Sequence, residues 1–432
     1  MTRVQLGEIC ERLSSGKSIK AVEVQDLGPY PVIGGNGLRG YAERYNFDGE
    51  CAVIGRQGAA CGNVRFHSGK AYMTEHAVVA VANESSDSHY LAYLLSTMNL
   101  GRLSAQSAQP GLSVKTLSKQ EIYLPPLEKQ KQVVEVLGRI DAKIEANAKL
   151  NGYLADAVDG LFEKALGQSE EKTLTDVVEI LSGGTPKTKI SEYWEDGEIP
   201  FFGPGDANGS TYCLTTAKHI TQLGLENCNS ELYPVDTVFL TARGTVGKVA
   251  MAGKPMAMNQ SCFAFRGLGV SQPAVYQIIK RAVRSLKVKA NGATFAAINT
   301  RDLKIEAILV PSDEELTAFE EEAASLHSMM RVNEEESLKL SSLRDALLSK
   351  LIAGEIDVSK VDLTQINSHL PKRWYVLLQI QGHPYIPATA ATAVTQACVG
   401  TMKDWYFLEF GTTLGPPGGP FNEKGHRHKP MT

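Results

Sequence analysis

CAVIGRQGAACGNVRF at residues 51–66 is answered at 237–251 by TVFLTARGTVGKVAM, with one extra residue between the glycines of the first copy. Gly58 and Gly244 stand 186 residues apart, and so do Pro125 and Pro311. Working outward, MTEHAVVAV at 73–81 matches MNQSCFAF at 258–265, and LSKQEIYLPP at 117–126 matches LKIEAILVP at 303–311. Upstream, YPVIGGNG at 30–37 answers IPFFGPGD at 199–206. Matches kept in one order at nearly one spacing mark an internal duplication. Within each copy, short runs rich in Val, Ile, Phe and Tyr are broken by Gly, Pro, Asn and Asp, and helices are expected at about 88–100 and near 273–286. Each copy therefore reads as an α+β globule.

Each copy ends in a long segment free of proline and glycine clusters, at about 127–166 and 313–353, which reads as a helix. In the first, Val133, Leu137, Ile140, Ile144, Asn147, Asn151, Leu154, Val158 and Leu161 alternate steps of four and three, a heptad seam. The second runs more loosely through Leu316, Phe319, Ala323, Leu326, Met330, Asn333, Leu340 and Leu347, with Ser337 and Arg344 as departures. Forty helical residues make a rod of about 60 Å at ~1.5 Å per residue. Neither rod buries its stripe alone, so an antiparallel pair is expected, with the two globules at opposite ends about a pseudo-two-fold axis. Asn147 and Asn333 are repeat-equivalent and lie near the helix midpoints, so their amides are expected to hydrogen-bond across the seam and set its register. The alternative is that both face solvent.

At 432 residues the chain is long enough for several domains, and a hydrophobic fraction of 43% suits ordinary globular cores. No stretch approaches the roughly 18 unbroken apolar residues of a membrane span, and the N-terminus carries charge where a signal peptide is apolar, so a cytoplasmic, membrane-free protein is expected. Seven scattered cysteines contain no CxxC pair, and the nine histidines are dispersed, so no metal site is expected. The net charge of −4 argues against a nucleic-acid partner until it is partitioned. Residues 1–125 hold 12 basic and 11 acidic residues, 168–311 hold 15 and 14, and 312–357 hold 4 and 12, so the acid sits in the second long helix. Enzymatic readings fail on motifs. There is no NPP[YF]-type tetrapeptide, no GxxxxGK[ST] phosphate loop and no GxSxG elbow. Asp159, Glu163 and Lys164 come nearest to a nuclease cluster, yet read as the solvated face of a helix.

ILSGGTPKTKISEYWEDGEIPFFGPGDANG at 180–209, with LPPLEKQKQVVEVL at 124–137 and LRDALLSKLIAGEIDVS at 343–359, resembles the specificity subunits of type I restriction-modification systems. The first copy carries only RLSSGKSI and YPVIGGNG, without the TP and the Tyr-Trp pair. The resemblance implies target recognition domains at 1–126 and 168–311, spacer helices at 127–167 and 312–357, and a tail at 358–432 of unassigned role. It also implies double-stranded DNA as ligand, a split asymmetric target, and two methyltransferase subunits docked on the helices with motor-nuclease subunits outside. S-adenosylmethionine, ATP and Mg²⁺ then belong to those partners, and this chain needs no cofactor.

Base edges are read by side chains that make paired hydrogen bonds, and phosphates by cations near glycines that permit close approach. The equivalent loops supply Lys17, Lys20, Asn36, Arg39, Arg56, Gln57, His76, Gln106 and Gln109 in the first copy. In the second they supply Thr185, Lys187, Asp206, Asn208, Arg243, Lys248, Asn259, Gln260 and Asn291. KRAVRSLKVK at 280–289, with Lys287 and Lys289, can track phosphates or simply form a solvated face. Arg56 and Arg243 can equally salt-bridge a neighbouring turn. The competing reading is a two-lobed scaffold whose globules bind protein or carbohydrate.

Overall fold

A computed structural model describes residues 1–104, 111–289 and 297–358 of the chain. The first half runs β1 (Thr2–Gln5), β2 (Cys10–Ser15), β3 (Tyr30–Gly34), β4 (Gly37–Ala42), β5 (Phe47–Gly55), β6 (Val64–Met73) and β7 (Ala77–Ala82). It continues through α1 (Ser88–Ser96), α2 (Val114–Ser118), β8 (Glu121–Leu124) and the long α3 (Leu127–Ala165). The second half runs β9 (Ser169–Thr173), α4 (Leu174–Val177), β10 (Val178–Ser182), β11 (Ile199–Phe202), β12 (Tyr212–Cys213), β13 (His219–Ile220) and α5 (Gln222–Glu226). Then come β14 (Val238–Thr241), β15 (Val249–Ala252), β16 (Ala257–Met258), β17 (Cys262–Gly267), α6 (Gln272–Lys289), α7 (Thr300–Lys304), β18 (Ala307–Pro311) and the long α8 (Asp313–Ala353).

The duplication is visible in strand order. β2-β7-β5-β6 in the first sheet recurs as β10-β17-β14-β15 in the second, antiparallel at every step. Each copy also closes on a two-stranded ribbon, β1 with β8 and β9 with β18, which ties the start of the domain to the strand feeding the long helix. In β8 the period of two is clean, with Ile122 and Leu124 buried and Glu121 and Tyr123 exposed.

Both long helices begin and end on local signals. Pro125 and Pro126 stop β8, and Pro126 stands just before the first helical residue of α3. In α8 the Ser312 hydroxyl accepts from the Glu315 N–H, Asp313, Glu314 and Glu315 fill the first turn, and Gly354 closes the helix in the left-handed conformation at φ 75°.

α3 and α8 pack antiparallel, and each domain sits on one end of the pair. Leu6, Ile54, Leu91 and Leu95 of the first core join Val133 and Leu137 of α3 and Leu351 of α8. Val238, Phe265 and Ile279 of the second core join Leu154, Val158 and Phe162 of α3 and Leu316, Phe319 and Leu326 of α8. Phe162 meets Phe319 edge to face at 5.1 Å. Near the pair's middle the seam turns polar, and the pairing differs from that expected of the repeat-equivalent Asn147 and Asn333. The Asn333 amide donates to the Asn151 side-chain oxygen at 2.8 Å, while Asn147 donates to the Ser337 hydroxyl at 3.2 Å and the Asn333 carbonyl at 3.4 Å. The reason is the symmetry itself. Ser337 is the repeat partner of Asn151, so an axis passing between two seam layers pairs Asn147 with Ser337 and Asn151 with Asn333. Arg344, the other departure from the heptads, binds Asp141 at 2.9 Å, and Asp141 also accepts from the Tyr93 hydroxyl of the first domain.

Candidate nucleic-acid interface

In the first domain, loops distant in sequence meet at the β6–β7 turn. The Gly16 N–H donates to the Ala77 carbonyl, the Lys17 N–H to the Met73 carbonyl, the Thr74 N–H to the Ile33 carbonyl and the Arg56 N–H to the His76 carbonyl, all within 3.0 Å. Glycines make this approach possible. A Cβ on Gly16 would lie 2.2 Å from the Met73 carbonyl oxygen, and one on Gly35 would lie 2.8 Å from that of His76. The convergence brings together Lys17, Asn36 of the β3–β4 turn, Arg39, Arg56, Gln57 and His76. Lys17, Asn36, Arg39 and Gln57 are exposed and Arg56 half-buried. Lys17, Arg39 and Arg56 form no side-chain hydrogen bond or ion pair with any described residue, so their positive charge is available. His76 faces Glu75 at 3.4 Å. Lys20 lies further along the loop of Lys17, its N–H held by the Glu23 carboxylate.

Arg65 belongs to the same edge and was not singled out from the sequence. Its guanidinium lies over Gly37, whose φ of 97° suits glycine, much as the Arg39 stem lies over Gly34. The signal available for it was the glycine-rich β5–β6 hairpin, which pairs Val53 with Arg65.

The second domain repeats the convergence with different chemistry. The Gly184 N–H donates to the Met258 carbonyl, the Asn259 N–H to that of Phe202 and the Arg243 N–H to that of Ser261. Here many polar groups hold the loops. The Thr185 hydroxyl donates to the Gln260 side chain. Asp206 accepts the Gly203 and Ala217 N–H groups at 2.8 Å each, and Lys248 donates to the Ala207 carbonyl at 2.9 Å. Asn259 accepts from the Ser261 N–H and Asn208 from the Ser210 N–H. Arg243 and Lys187 remain exposed without a side-chain partner among the described residues. Arg243 precedes Gly244, held at φ 80° in a tight turn.

The basic run on α6 makes contacts within the chain, with Arg284, Lys287 and Lys289 still exposed. Lys289 binds both oxygens of Glu306, a carboxylate only 2% exposed, and Lys287 reaches the Gly247 carbonyl at 3.4 Å. Lys280 binds Asp159 and Arg281 binds Glu163 on α3. Asp159 is thus drawn into the contact between α6 and α3, while Glu163, 63% exposed, stays on the solvated face and meets Arg281 there. Gln106, Gln109, Asn291 and residues 359–432 lie outside the described residues.

Burial pushes the thiols of Cys51 and Cys262 up to about 12, so both stay neutral. Among the described residues, no cluster of His, Cys, Asp and Glu is suited to a metal ion, and no helix is long and apolar enough to cross a membrane.

Comparison with known proteins completes the site. The family model described as type I restriction modification DNA specificity domain matches residues 1–154 and again 167–336. The EcoprrI type I restriction enzyme specificity subunit of Escherichia coli is 38% identical over 143 residues, covering 32% of this chain and 35% of that one. The MjaIX specificity subunit of Methanocaldococcus jannaschii is 34% identical over 152 residues, covering 33% of this chain and 34% of that one. The chain's matches thus span about a third of the length of these curated relatives. The crystal structure of the type I restriction-modification S subunit from M. genitalium shares the fold at a TM-score of 0.50 and 16% identity, over 81% of this chain and 95% of that one. Matched once on each copy of its internal repeat, and over most of its length, the chain belongs to the type I restriction modification DNA specificity family.

Proposed function

We propose that the chain is the non-catalytic, DNA-reading subunit of a type I restriction-modification complex. The two domains read the two parts of a split target, and the α3–α8 pair sets the unread gap and docks two methyltransferase subunits, with motor-nuclease subunits outside. One observation carries this reading: the same glycine-lined convergence of loops occurs in two domains held at opposite ends of one helix pair, and each displays cations without a side-chain partner among the described residues. Two readers related by a pseudo-two-fold suit duplex DNA, where half-sites repeat about every 34–36 Å. Because Lys17, Arg39 and Arg56 stand where the second copy has different groups, the half-sites differ and the target is asymmetric. S-adenosylmethionine, ATP and Mg²⁺ belong to the partners, and the complex works in the cytoplasm, where its DNA is.

Co-expression with a type I methyltransferase subunit, followed by mapping of modified adenines in the host genome, tests the proposal. A split asymmetric motif is expected, degraded in one half by Arg56→Ala and in the other by Arg243→Ala. A co-purified complex that modifies no defined motif would falsify it.

A further inference from the structure

The β6–β7 turn of the first domain carries two orphaned polar atoms. Thr74 is fully buried and its hydroxyl has no partner, and Oε2 of Glu75 is likewise enclosed without one. The other carboxylate oxygen of Glu75 faces the His76 ring at 3.4 Å, and the side chain as a whole is 39% exposed. The second domain shows these positions completed. The repeat partners of Thr74 and Glu75 are Asn259 and Gln260, whose side-chain oxygens accept from the Ser261 N–H and the Thr185 hydroxyl. A copy that leaves the same positions open keeps hydrogen-bonding capacity that its own fold does not use.

We propose that Glu75 is a base-reading residue of the first domain, accepting a hydrogen bond from the exocyclic amino group of a cytosine or an adenine. The assignment rests on the DNA-reading role above. A carboxylate only accepts, so it cannot pair with the acceptors of guanine O6 and N7 or thymine O4, and the major-groove donors are cytosine N4 and adenine N6. Phosphates repel a carboxylate, which makes Glu75 useful at this edge only where it meets such a donor. Lys17, Arg39, Arg56 and Arg65 around the same convergence offset that repulsion. The partly exposed carboxylate swings outward about its side-chain torsions to meet the base.

The test is selection from a randomised duplex library by the full chain co-purified with a type I methyltransferase subunit, for the parent, Glu75→Gln and Glu75→Ala. The parent is expected to restrict one position of one half-site to cytosine or adenine. Glu75→Gln, isosteric and mimicking the Gln260 of the other copy, should shift the preference at that position by about 10-fold or more toward adenine, whose N6 and N7 suit an amide. Glu75→Ala should abolish discrimination there, and every other position should keep its preference. A parental motif that survives unchanged in a Gln variant melting with the parent overturns the assignment and leaves the DNA-reading role standing. A parent that selects no motif overturns both.

Discussion

Replacing Asn333 by Leu removes the amide that donates at 2.8 Å to the Asn151 oxygen, in a seam layer where Asn333 is 5% and Asn151 9% exposed. The abandoned acceptor stays buried, which costs about 1–3 kcal/mol. Replacing Asn151 alone leaves the buried Asn333 amide without its acceptor, at a similar cost. Replacing both by Leu removes both orphans and continues the apolar seam between Met330 and Leu154, so the double variant should equal or exceed the parent. With each single variant costing about 1–3 kcal/mol and the double nothing, the coupling equals the sum of the two single costs, about 2–6 kcal/mol. Thermal melts of the full chain followed by circular dichroism measure it, at about 2–4 °C per kcal/mol for a domain of ordinary size. Single variants that each melt with the parent, or a double variant that loses the sum of the singles within about 0.5 kcal/mol, would show that these amides do not act as a pair.

Arg243→Ala should weaken binding and relax one position of the target if the guanidinium meets a base edge; a uniform loss on all sequences, with a shallower salt dependence, would make it a phosphate contact instead. Lys289→Ala strands the buried Glu306 carboxylate, so it should lower the melting temperature while Lys289→Met with Glu306→Met restores it; a salt-dependent loss of DNA binding at unchanged stability would contradict the structural role. His327 is held to about 4, below the ordinary 6.5, by burial and by the nearby Lys280, and one ring nitrogen meets the Tyr212 hydroxyl at 3.1 Å. The fold favours the neutral ring, so the unfolded chain binds the extra proton. Stability is complete above about pH 6.5 and falls as pH drops toward 4, by an amount on the order of 3 kcal/mol. In His327→Phe, unfolding measured between pH 6.5 and 4 should lose that slope; a slope equal to the parent's would sink the assignment.

Much of the fold was legible because it rests on local and periodic rules. The repeat and the heptads of α3 and α8 are short-range patterns, and they imply two α+β domains on an antiparallel helix pair. Even the polar seam was visible as Asn147, Asn151 and Asn333. Which amide meets which was not, because that depends on whether the pseudo-two-fold axis passes through a seam layer or between two, an offset of one layer that leaves the periodicity unchanged.

The site was legible as loops and illegible as charges. Glycine-flanked cations in equivalent loops marked the convergence around Arg56 and Arg243, since only glycine tolerates the backbone approach at Gly16, Gly35 and Gly184. Whether a cation is free is decided by what tertiary packing places opposite it. Lys289 looks like Lys187 in the sequence and both are exposed, but packing sets Lys289 on buried Glu306, while Lys187 has no side-chain partner among the described residues. The sequence by itself thus determined the duplication, the element types and the loops that meet; only the tertiary structure decided the seam partners, the neutralised cations and the orphaned atoms of Thr74 and Glu75. Periodicity acts between residues a few positions apart, whereas these pairings join residues that the fold alone makes neighbours.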